Sequence, residues 1–304
     1  MSTVRTLLFL IIIVVLLMPA HQGCSSDTKV ADEILMLIRC DDIGMNHTVN
    51  MAADSLINHG IKFSASVMFV CPWYQEAVEI LKGNPQIAVG VHLTLNSEWK
   101  HYRWGPVLGA DAVPSLVDSN GYFFPSIKKL FANNPTNEDI ERELTAQLER
   151  ALSSGLKIDY VDYHMGTAVA KPEWREIVES LARKHHLGIA IYFDERGYAG
   201  LYSVPVESKT DSLVKLVSKL EPGHINLLVS HIGLDNPEMA ALIDQNDEFP
   251  LEKMSNHRFS EFKALMSEEF SQILKDRKIR LITYRDVIAM KGLAAMKRPT
   301  VDGY

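Results

Sequence analysis

The sequence MLIRCDDIGMN, residues 36–46, is an apolar run that ends in two adjacent acids, Asp41 and Asp42, followed closely by a glycine. The apolar run predicts a buried strand, and the acids stand where that strand ends. Two neighbouring carboxylates in such a place are costly, because burial and mutual repulsion oppose their ionisation unless a cation binds between them. The pair therefore indicates a metal site or acid–base chemistry at the end of the first strand.

Length and composition indicate one globular domain with a large core. The chain has 304 residues, of which 47% are hydrophobic, and it carries 31 basic against 38 acidic residues. A single α/β domain is expected at this length, and the lack of a basic excess argues against nucleic acid as a partner. We predict a linker at 24–33, one domain at 34–292 with a long loop insertion at 96–135, and a C-terminal tail at 293–304. The pattern leaves the oligomeric state open.

An export signal is predicted over residues 1–23. Leu7–Met18 is an uninterrupted apolar run behind a basic residue, and it is shorter than the roughly 20 residues that cross a bilayer. Gly23-Cys24 resembles a lipoprotein processing site, although His21 stands where Leu is usual. This resemblance implies an exported protein, periplasmic or at the cell surface, attached to the membrane through a lipidated Cys24. Secretion without lipid and an uncleaved anchor are the alternatives.

Strand-like runs and amphipathic helices alternate through the domain. The predicted strands are Ile34–Arg39, Phe63–Phe69, Ile87–Leu95, Ile158–Tyr163, Ile189–Phe193, Ile225–Val229 and Ile279–Thr283. Helical spacing between most of them predicts right-handed crossovers and a parallel sheet. About seven mostly parallel strands, in a barrel or in a twisted open sheet, fit the pattern equally well. Both architectures place their chemistry at the carboxyl ends of the strands.

Candidate ligands follow or end four of the predicted strands. They are Asp41 and Asp42 after the first strand, His92 late in the third, Asp162 and His164 around the end of the fourth, and His231 after Val229. Because the carboxyl ends of parallel strands meet at one edge, we expect these side chains to lie together. One carboxylate and two imidazoles, Asp42, His92 and His164, suit zinc or another divalent metal. The alternatives are a core histidine at position 92 and a structural histidine at position 164 held by Asp162.

At these residues the sequence resembles the YdjC/ChbG family of carbohydrate deacetylases, distant relatives of NodB-type polysaccharide deacetylases. The resemblance extends from Ile34 to Val287 and rests on four motifs in order. They are Asp41-Asp42-Ile43-Gly44, Gly90-Val91-His92-Leu93-Thr94-Leu95, Val161-Asp162-Tyr163-His164 and Ser230-His231-Ile232-Gly233.

The resemblance implies a distorted (β/α) barrel that binds one divalent metal ion, Mg²⁺ or Zn²⁺, through Asp42, His92 and His164. Asp41, expected to be free of other partners, would be the catalytic base, and His231 would be the general acid. The alternative for Asp41 is a residue that orients a metal ligand. The implied reaction is removal of an acetyl group from an amino sugar in an oligosaccharide or glycan.

Three positions depart from the family pattern. Tyr160 and Gly166 stand where the family has histidines, and Ile232 stands where it has proline. The metal ligands are retained, whereas residues expected to shape the sugar site are changed. A second hypothesis is therefore an exported carbohydrate-binding protein on a catalytically degenerate scaffold. A glycosidase is a third, but it needs two carboxylates about 5 to 10 Å apart across the sugar, and two adjacent acids are poorly placed for that.

The start of the loop insertion carries aromatic residues close to a proposed metal ligand. Trp99 and Trp104 offer flat faces for sugar rings, and Arg103 offers donors for hydroxyl groups. Packing of the loop onto the barrel is the alternative for these three residues. Asp162 is a further candidate for contact with the substrate.

Four other residues are expected to have structural roles. Cys40 and Cys71 would lie near the ends of neighbouring strands, where we expect buried free thiols, with a disulfide as the alternative in an oxidising compartment. Arg196 and Arg258 are expected to be salt-bridged residues at the surface, with a place in the active site as the alternative.

Overall fold

A computed structural model describes residues 33–198, 200–246 and 254–299. The predicted export signal, Cys24 and all but one residue of the linker lie outside these ranges. Within them, no helix has both the length and the apolar character needed to cross a membrane.

In the described ranges, eight strands form one sheet whose pairings are all parallel. They are β1 Leu35–Ile43, β2 Ser64–Val67, β3 Ala88–Leu93, β4 Ile158–Tyr163, β5 Gly188–Ile189, β6 Glu195–Tyr198, β7 Ile225–Ser230 and β8 Arg280–Ile282. The spatial order is β5-β4-β3-β2-β1-β7-β6, and β8 pairs with the first part of β1. The sheet curls into a half-barrel, which confirms the predicted distorted (β/α) barrel.

Helices follow most strands and cover the sheet. They are α1 His47–Asn58, α2 Tyr74–Lys82, α3 Ile127–Ala132, α4 Asn137–Ser153, α5 Pro172–Lys184, α6 Lys209–Val217, α7 Pro237–Ala240, α8 Met254–Met266, α9 Glu268–Asp276 and α10 Tyr284–Lys291. The insertion at 96–135 consists of loop with two short 3₁₀ turns and α3. It therefore has little regular structure, as the absence of a sustained period predicted.

Alternation along β1 separates the two faces of the sheet. One face packs into the large core under the helices and carries Met36, Ile38 and Cys40. Leu35 and Leu37 point the other way, into a smaller apolar cluster that also contains Tyr160, Leu227 and Tyr284. Arg39 and Asp41 continue this second face by the two-residue period of a strand. The inner face of the half-barrel thus changes from apolar to charged toward the carboxyl ends of its strands.

Several predicted boundaries are corrected by the structure. The first strand continues past Arg39 to Ile43, so both acids lie within it. The predicted strand Ile189–Phe193 shrinks to β5, and β6 was missed because residues 195–198 contain no apolar run. The spacing of apolar residues from Phe262 to Leu274 predicts one last helix, but the structure has two, because the Ser267 side chain accepts a hydrogen bond from the Phe270 amide and begins α9.

The two cysteines expected in the core are buried free thiols. Burial raises the pKa of Cys40 and of Cys71 well above the ordinary value of a thiol. Both therefore remain protonated and poorly reactive, because the thiolate is the reactive form.

Candidate active site

The backbone at the end of β1 directs two adjacent acids toward one cavity. In a regular strand, consecutive side chains point to opposite faces. Asp42 has a φ of 62°, and the pairing of β1 with β2 shifts register between Cys40 and Ile43. Asp41 and Asp42 are 2% and 1% exposed, and both line a cavity of about 730 Å³. A non-glycine residue in the left-handed region is uncommon and concentrates at functional sites.

Asp42 lies at the centre of a cluster with the two predicted histidine ligands. Its Oδ1 atom is 3.2 Å from Nδ1 of His164 and 3.4 Å from Nε2 of His92, and the three ligand atoms lie within 4.8 Å of one another. Oδ1 nevertheless has no hydrogen-bond partner in the described structure. Both histidine nitrogens thus lie at ion-pair distance from Oδ1 without a well-aligned hydrogen bond, an arrangement that suits ligands around a common ion. One carboxylate and two imidazoles suit a divalent transition metal.

Each imidazole is oriented by a carboxylate on its other nitrogen. Nδ1 of His92 lies 2.9 Å from Oδ2 of Asp162, its partner in the register of β3 and β4. Nε2 of His164 lies 3.0 Å from Oε2 of Glu98 in the loop insertion. A carboxylate behind each histidine is the usual arrangement around a protein-bound metal, since it fixes the ring and raises the basicity of the ligand nitrogen. Asp42, His92 and His164 therefore fit a metal ion.

The charges in this cluster shift the pKa values of all three residues. Burial alone would lower the pKa of His92, but the Asp162 and Asp41 carboxylates raise it to about 9. Burial opposes protonation of His164 in the same way, but Glu98 and Asp42 raise its pKa to about 10. For Asp42, burial alone would raise the pKa, whereas Arg258 and the two histidines lower it well below the ordinary value.

Asp41 has a firm partner, which corrects the expectation that it is free. Arg39 Nε and Nη2 donate to its two oxygens at 2.7 and 2.8 Å. The same guanidinium approaches Oδ1 of Asp162 through Nη1 at 3.0 Å. Asp41, His92 and Asp162 form a second group with metal-ligand spacing. Arg39 already donates to both oxygens of Asp41, whereas Oδ1 of Asp42 has no hydrogen-bond donor, so the Asp42 cluster is the better place for a cation.

Arg258 is also buried, which corrects the prediction of a surface residue. It is 2% exposed on α8, and its Nη2 donates to Oδ2 of Asp42 at 2.5 Å. Its Cζ atom lies 5.7 Å from the centre of the Trp99 ring. Arg196, by contrast, is a surface residue as predicted, in an exposed ion pair with Glu221.

His231 lines the same cavity, beyond the end of β7. Its ring lies edge-on to Tyr202 with centroids 5.3 Å apart, and burial lowers its pKa below the ordinary value. Its backbone N–H donates to Oε2 of Glu261 at 2.9 Å, and the Ser230 hydroxyl donates to the same oxygen. The buried Lys209 ammonium, 3.2 Å from Oε1, balances the charge of Glu261. This network holds the backbone that carries His231.

The four substrate candidates divide into one that lines the cavity and three that do not. Trp99 lines it. Arg103 instead holds the loop together, donating to Asp118 and to the Phe123 carbonyl, and the Trp104 indole N–H donates to the Asn96 carbonyl. Asp162 is fully buried, and its oxygens face Arg39, His92 and Ser66. For Arg103 and Trp104 the loop-packing alternative holds, and Asp162 supports His92.

The two histidine replacements, Tyr160 and Gly166, also lie outside the cavity lining. Tyr160 is fully buried, and its hydroxyl is hydrogen-bonded to Ser66 at 2.9 Å. Ser66 in turn donates to Asp162, which orients His92. The replacement at Tyr160 therefore changes the support below the metal cluster and leaves the cavity wall unchanged.

Sequence reasoning missed the residues that hold the others in place. Arg39 carried a signal, because a charge inside an apolar run two residues before Asp41 shares its face. No such signal marked Glu98, Glu261 and Lys209, since their partners lie 30 to 66 residues away in the sequence. Arg258 had a place in the site only as the alternative to a surface ion pair.

Together, fold and site define the class: a parallel α/β half-barrel with a carboxylate–histidine cluster at the carboxyl ends of its strands. The chain belongs to the family of YdjC-like proteins, whose family model matches residues 35–276. The predicted family resemblance is thus confirmed.

Similar proteins cover nearly the whole described domain. A Brevibacillus brevis protein named carbohydrate deacetylase is 26% identical over 269 residues, covering 83% of this chain and 99% of that protein. A Geobacillus stearothermophilus protein of the same name is 28% identical over 267 residues, covering 82% and 96%. A crystal structure described as a cellobiose-phosphate cleavage protein from Enterococcus faecalis has a TM-score of 0.69 at 22% identity, covering 84% of this chain and 99% of that one.

Proposed function

We propose that the protein is a metal-dependent hydrolase that removes an acetyl group from an amino sugar of an oligosaccharide or glycan. The observation that carries this proposal is the approach of Asp42 Oδ1, His92 Nε2 and His164 Nδ1 to one another at the wall of a large cavity. The relatives named carbohydrate deacetylase support the reaction class. A divalent ion held by these atoms would polarise the amide carbonyl and acidify a water molecule.

Asp41 and His231 are proposed to move the protons of the reaction. Arg39 fixes the orientation of the Asp41 carboxylate, and each carboxylate oxygen retains a second lone pair that can accept the proton of the attacking water. His231 would protonate the amine that leaves. Burial lowers the pKa of His231, so its protonated form is a stronger acid.

The shape and lining of the cavity support a sugar as the ligand. Its volume of about 730 Å³ is within the range of small-molecule sites. Trp99, Phe131 and Met165 provide apolar surface, which suits the faces of sugar rings. Asp244 and Asn246 provide polar atoms for hydroxyl groups at the same cavity.

Metal analysis combined with acetate release tests the proposal. The purified protein, incubated with Zn²⁺ or Mg²⁺ and desalted, is expected to retain one ion per chain and to release acetate from at least one member of a panel of N-acetylated oligosaccharides. Chelation is expected to abolish release, and added metal to restore it. A tightly bound ion without acetate release from any member would instead favour the carbohydrate-binding hypothesis, and release that chelators leave unaffected would contradict metal dependence.

A further inference from the structure

Arg258 brings unsatisfied hydrogen-bond donors to the wall of the cavity. Its side chain is 2% exposed and lines the cavity, and Nη2 is bonded to Asp42. The Nε and Nη1 atoms have no hydrogen-bond partner among the described residues. A buried N–H group without an acceptor is costly, and native structures rarely leave one. The unused donors therefore indicate a ligand that supplies an oxygen acceptor.

Trp99 adds a third unused donor beside Arg258. The indole ring lies 5.7 Å from Cζ of Arg258 and is 1% exposed. Its Nε1 atom also lacks a partner among the described residues. This cation–π contact places the Arg258 guanidinium, whose donors form a rigid fork, beside the indole ring. Both side chains line the cavity that contains Asp41, Asp42 and His231.

The Asp42 carboxylate connects Arg258 to the candidate metal ligands. Its Oδ2 atom accepts from Arg258, whereas its Oδ1 atom faces the two histidines. Arg258 thus leaves a single oxygen of Asp42 for a metal ion. A substrate oxygen placed at the cluster would lie next to Arg258.

We propose that Arg258 binds the oxygen of the acyl group that is cleaved and stabilises the negative charge that develops on it. This inference rests on the proposed function. A substrate with a permanent negative charge is disfavoured there, because Asp41, Glu98 and Asp244 line the same cavity. An acyl oxygen is neutral when the substrate binds and becomes anionic only during the reaction, when a preorganised donor has its largest effect.

The proposed reaction is an ordinary amide hydrolysis. The water oxygen forms a bond to the acyl carbon and gives a proton to Asp41, while the carbonyl π electrons move to the acyl oxygen, which accepts hydrogen bonds from Arg258. The acyl oxygen then returns an electron pair to re-form the carbonyl, the carbon–nitrogen bond breaks, and the electron pair left on nitrogen takes a proton from His231. Acetate and the free amino sugar are the products.

Three properties of Arg258→Ala and Arg258→Lys test this role: turnover, Zn²⁺ affinity and binding of acetate to the zinc-loaded protein. For Arg258→Ala we expect kcat to fall roughly 10²- to 10³-fold, with KM within about threefold and Zn²⁺ affinity undiminished. Acetate should bind at least about tenfold more weakly. Guanidinium ion in solution should restore part of kcat.

Arg258→Lys keeps the charge and loses the fork, so its kcat should be intermediate. Arg196→Gln, in the exposed ion pair, is the matched control.

Several outcomes would overturn the inference. One is a kcat of Arg258→Ala within threefold of the wild-type value. Another is a lower turnover of Arg258→Ala that saturating Zn²⁺ restores to the wild-type value, which would limit Arg258 to holding Asp42. A defect confined to substrates that carry a carboxylate would assign Arg258 to that group instead. If the wild-type protein released no acetate, the proposed function would fail. Acetate binding alone would then test the role of Arg258 in binding the acyl oxygen. An unchanged acetate affinity in Arg258→Ala would refute that role.

Discussion

The two adjacent acids of β1 have different cationic partners in the structure. Arg39 holds both oxygens of Asp41, and Arg258 holds one oxygen of Asp42. The second oxygen of Asp42 faces His92 and His164 without a hydrogen bond. This asymmetry separates a candidate ligand from a candidate base, although the two residues are neighbours in the sequence.

Substitution of the two acids should therefore have different effects. Asp41→Asn should keep Zn²⁺ binding and lower kcat by roughly 10²- to 10⁴-fold, because an amide cannot accept the proton. Asp42→Ala should lose the metal, since it removes a ligand. Zinc content after desalting and acetate release distinguish the two variants, with Asp54→Asn, at a partly buried position outside the cavity lining, as control. Turnover of Asp41→Asn within a few-fold of wild type would show that Asp41 is not the base.

Metal binding should depend steeply on pH. In the metal-free protein, the pKa values of about 9 for His92 and about 10 for His164 keep both imidazoles protonated at neutral pH. A metal ion must displace both protons, so Zn²⁺ affinity should rise about 100-fold per pH unit between pH 7 and 8. Calorimetry in buffers of different ionisation enthalpy measures this release. Release of fewer than one proton per ion at pH 7.5 would contradict the prediction.

The same shifts determine how the stability of the metal-free protein depends on pH. Both pKa values are raised above the ordinary histidine value of 6.5. The folded state therefore binds protons more tightly than the unfolded state, and this contribution is complete below pH 6.5. It should be lost as pH rises through 9 and 10, which urea unfolding at several pH values would show.

Among the elements, β3 and β4 support the cluster through close packing. A Cβ atom on Gly90 would lie 2.3 Å from Cζ of Tyr160. The Tyr160 ring is held by Tyr284, with centroids 4.3 Å apart, and by the hydroxyl of Ser66. The glycine thus makes room for a tyrosine whose hydrogen-bonded neighbour leads through Asp162 to His92.

Gly90→Ala should destabilise the protein by about 2–3 kcal/mol, because the overpacked ring must move. Gly197→Ala on β6 is the matched control, since a Cβ there meets nothing within 4 Å, and it should change stability by less than about 0.5 kcal/mol. Combining Gly90→Ala with Tyr160→Ser should cost less than the sum of the single changes. Urea unfolding measures all four variants. Equal effects of the two alanine substitutions would show that the ring adapts freely.

At the scale of the whole molecule, the half-barrel brings distant parts of the chain to one cavity. The strands supply the acids and histidines, the insertion at 96–135 supplies Glu98 and Trp99, and α8 supplies Arg258. The rim is built from loops that follow the carboxyl ends of the strands, where parallel α/β proteins place their sites.

We propose that the whole protein is exported and anchored at the membrane through Cys24. The basis of this proposal is the resemblance of Gly23-Cys24 to a lipoprotein processing site. Two or more acyl chains on Cys24 would suffice, because each buried methylene adds membrane affinity. Expression in a bacterial host should place the protein in the membrane fraction with a lipid-modified Cys24 detectable by mass spectrometry. Cys24→Ser should abolish the modification, and Ser25→Ala should not; an unmodified wild-type chain would contradict the proposal.

Local patterns in the sequence were enough to predict the alternation of strands and helices and the candidate ligands. Period-two and period-3.6 apolar spacing reflects which side of each element is buried, so seven strands and the main helices were predictable. Parallel strands end at one edge, which made Asp42, His92 and His164 a predictable cluster. Strand boundaries failed where polar residues continue a strand, as at Asp41 and Asp42 in β1.

Only the tertiary structure decided which side chains act together. Asp162 orients His92 instead of contacting substrate, Arg39 clamps Asp41, and Arg258 reaches Asp42 from 216 residues away. No local periodicity encodes these pairs, because they depend on register between strands and on the path of loops. The sequence by itself determined the inventory of the site and the sheet that carries it. The physical partners of each charge follow from the register of the curled sheet together with the loop insertion and α8, which bring Glu98 and Arg258 to the site.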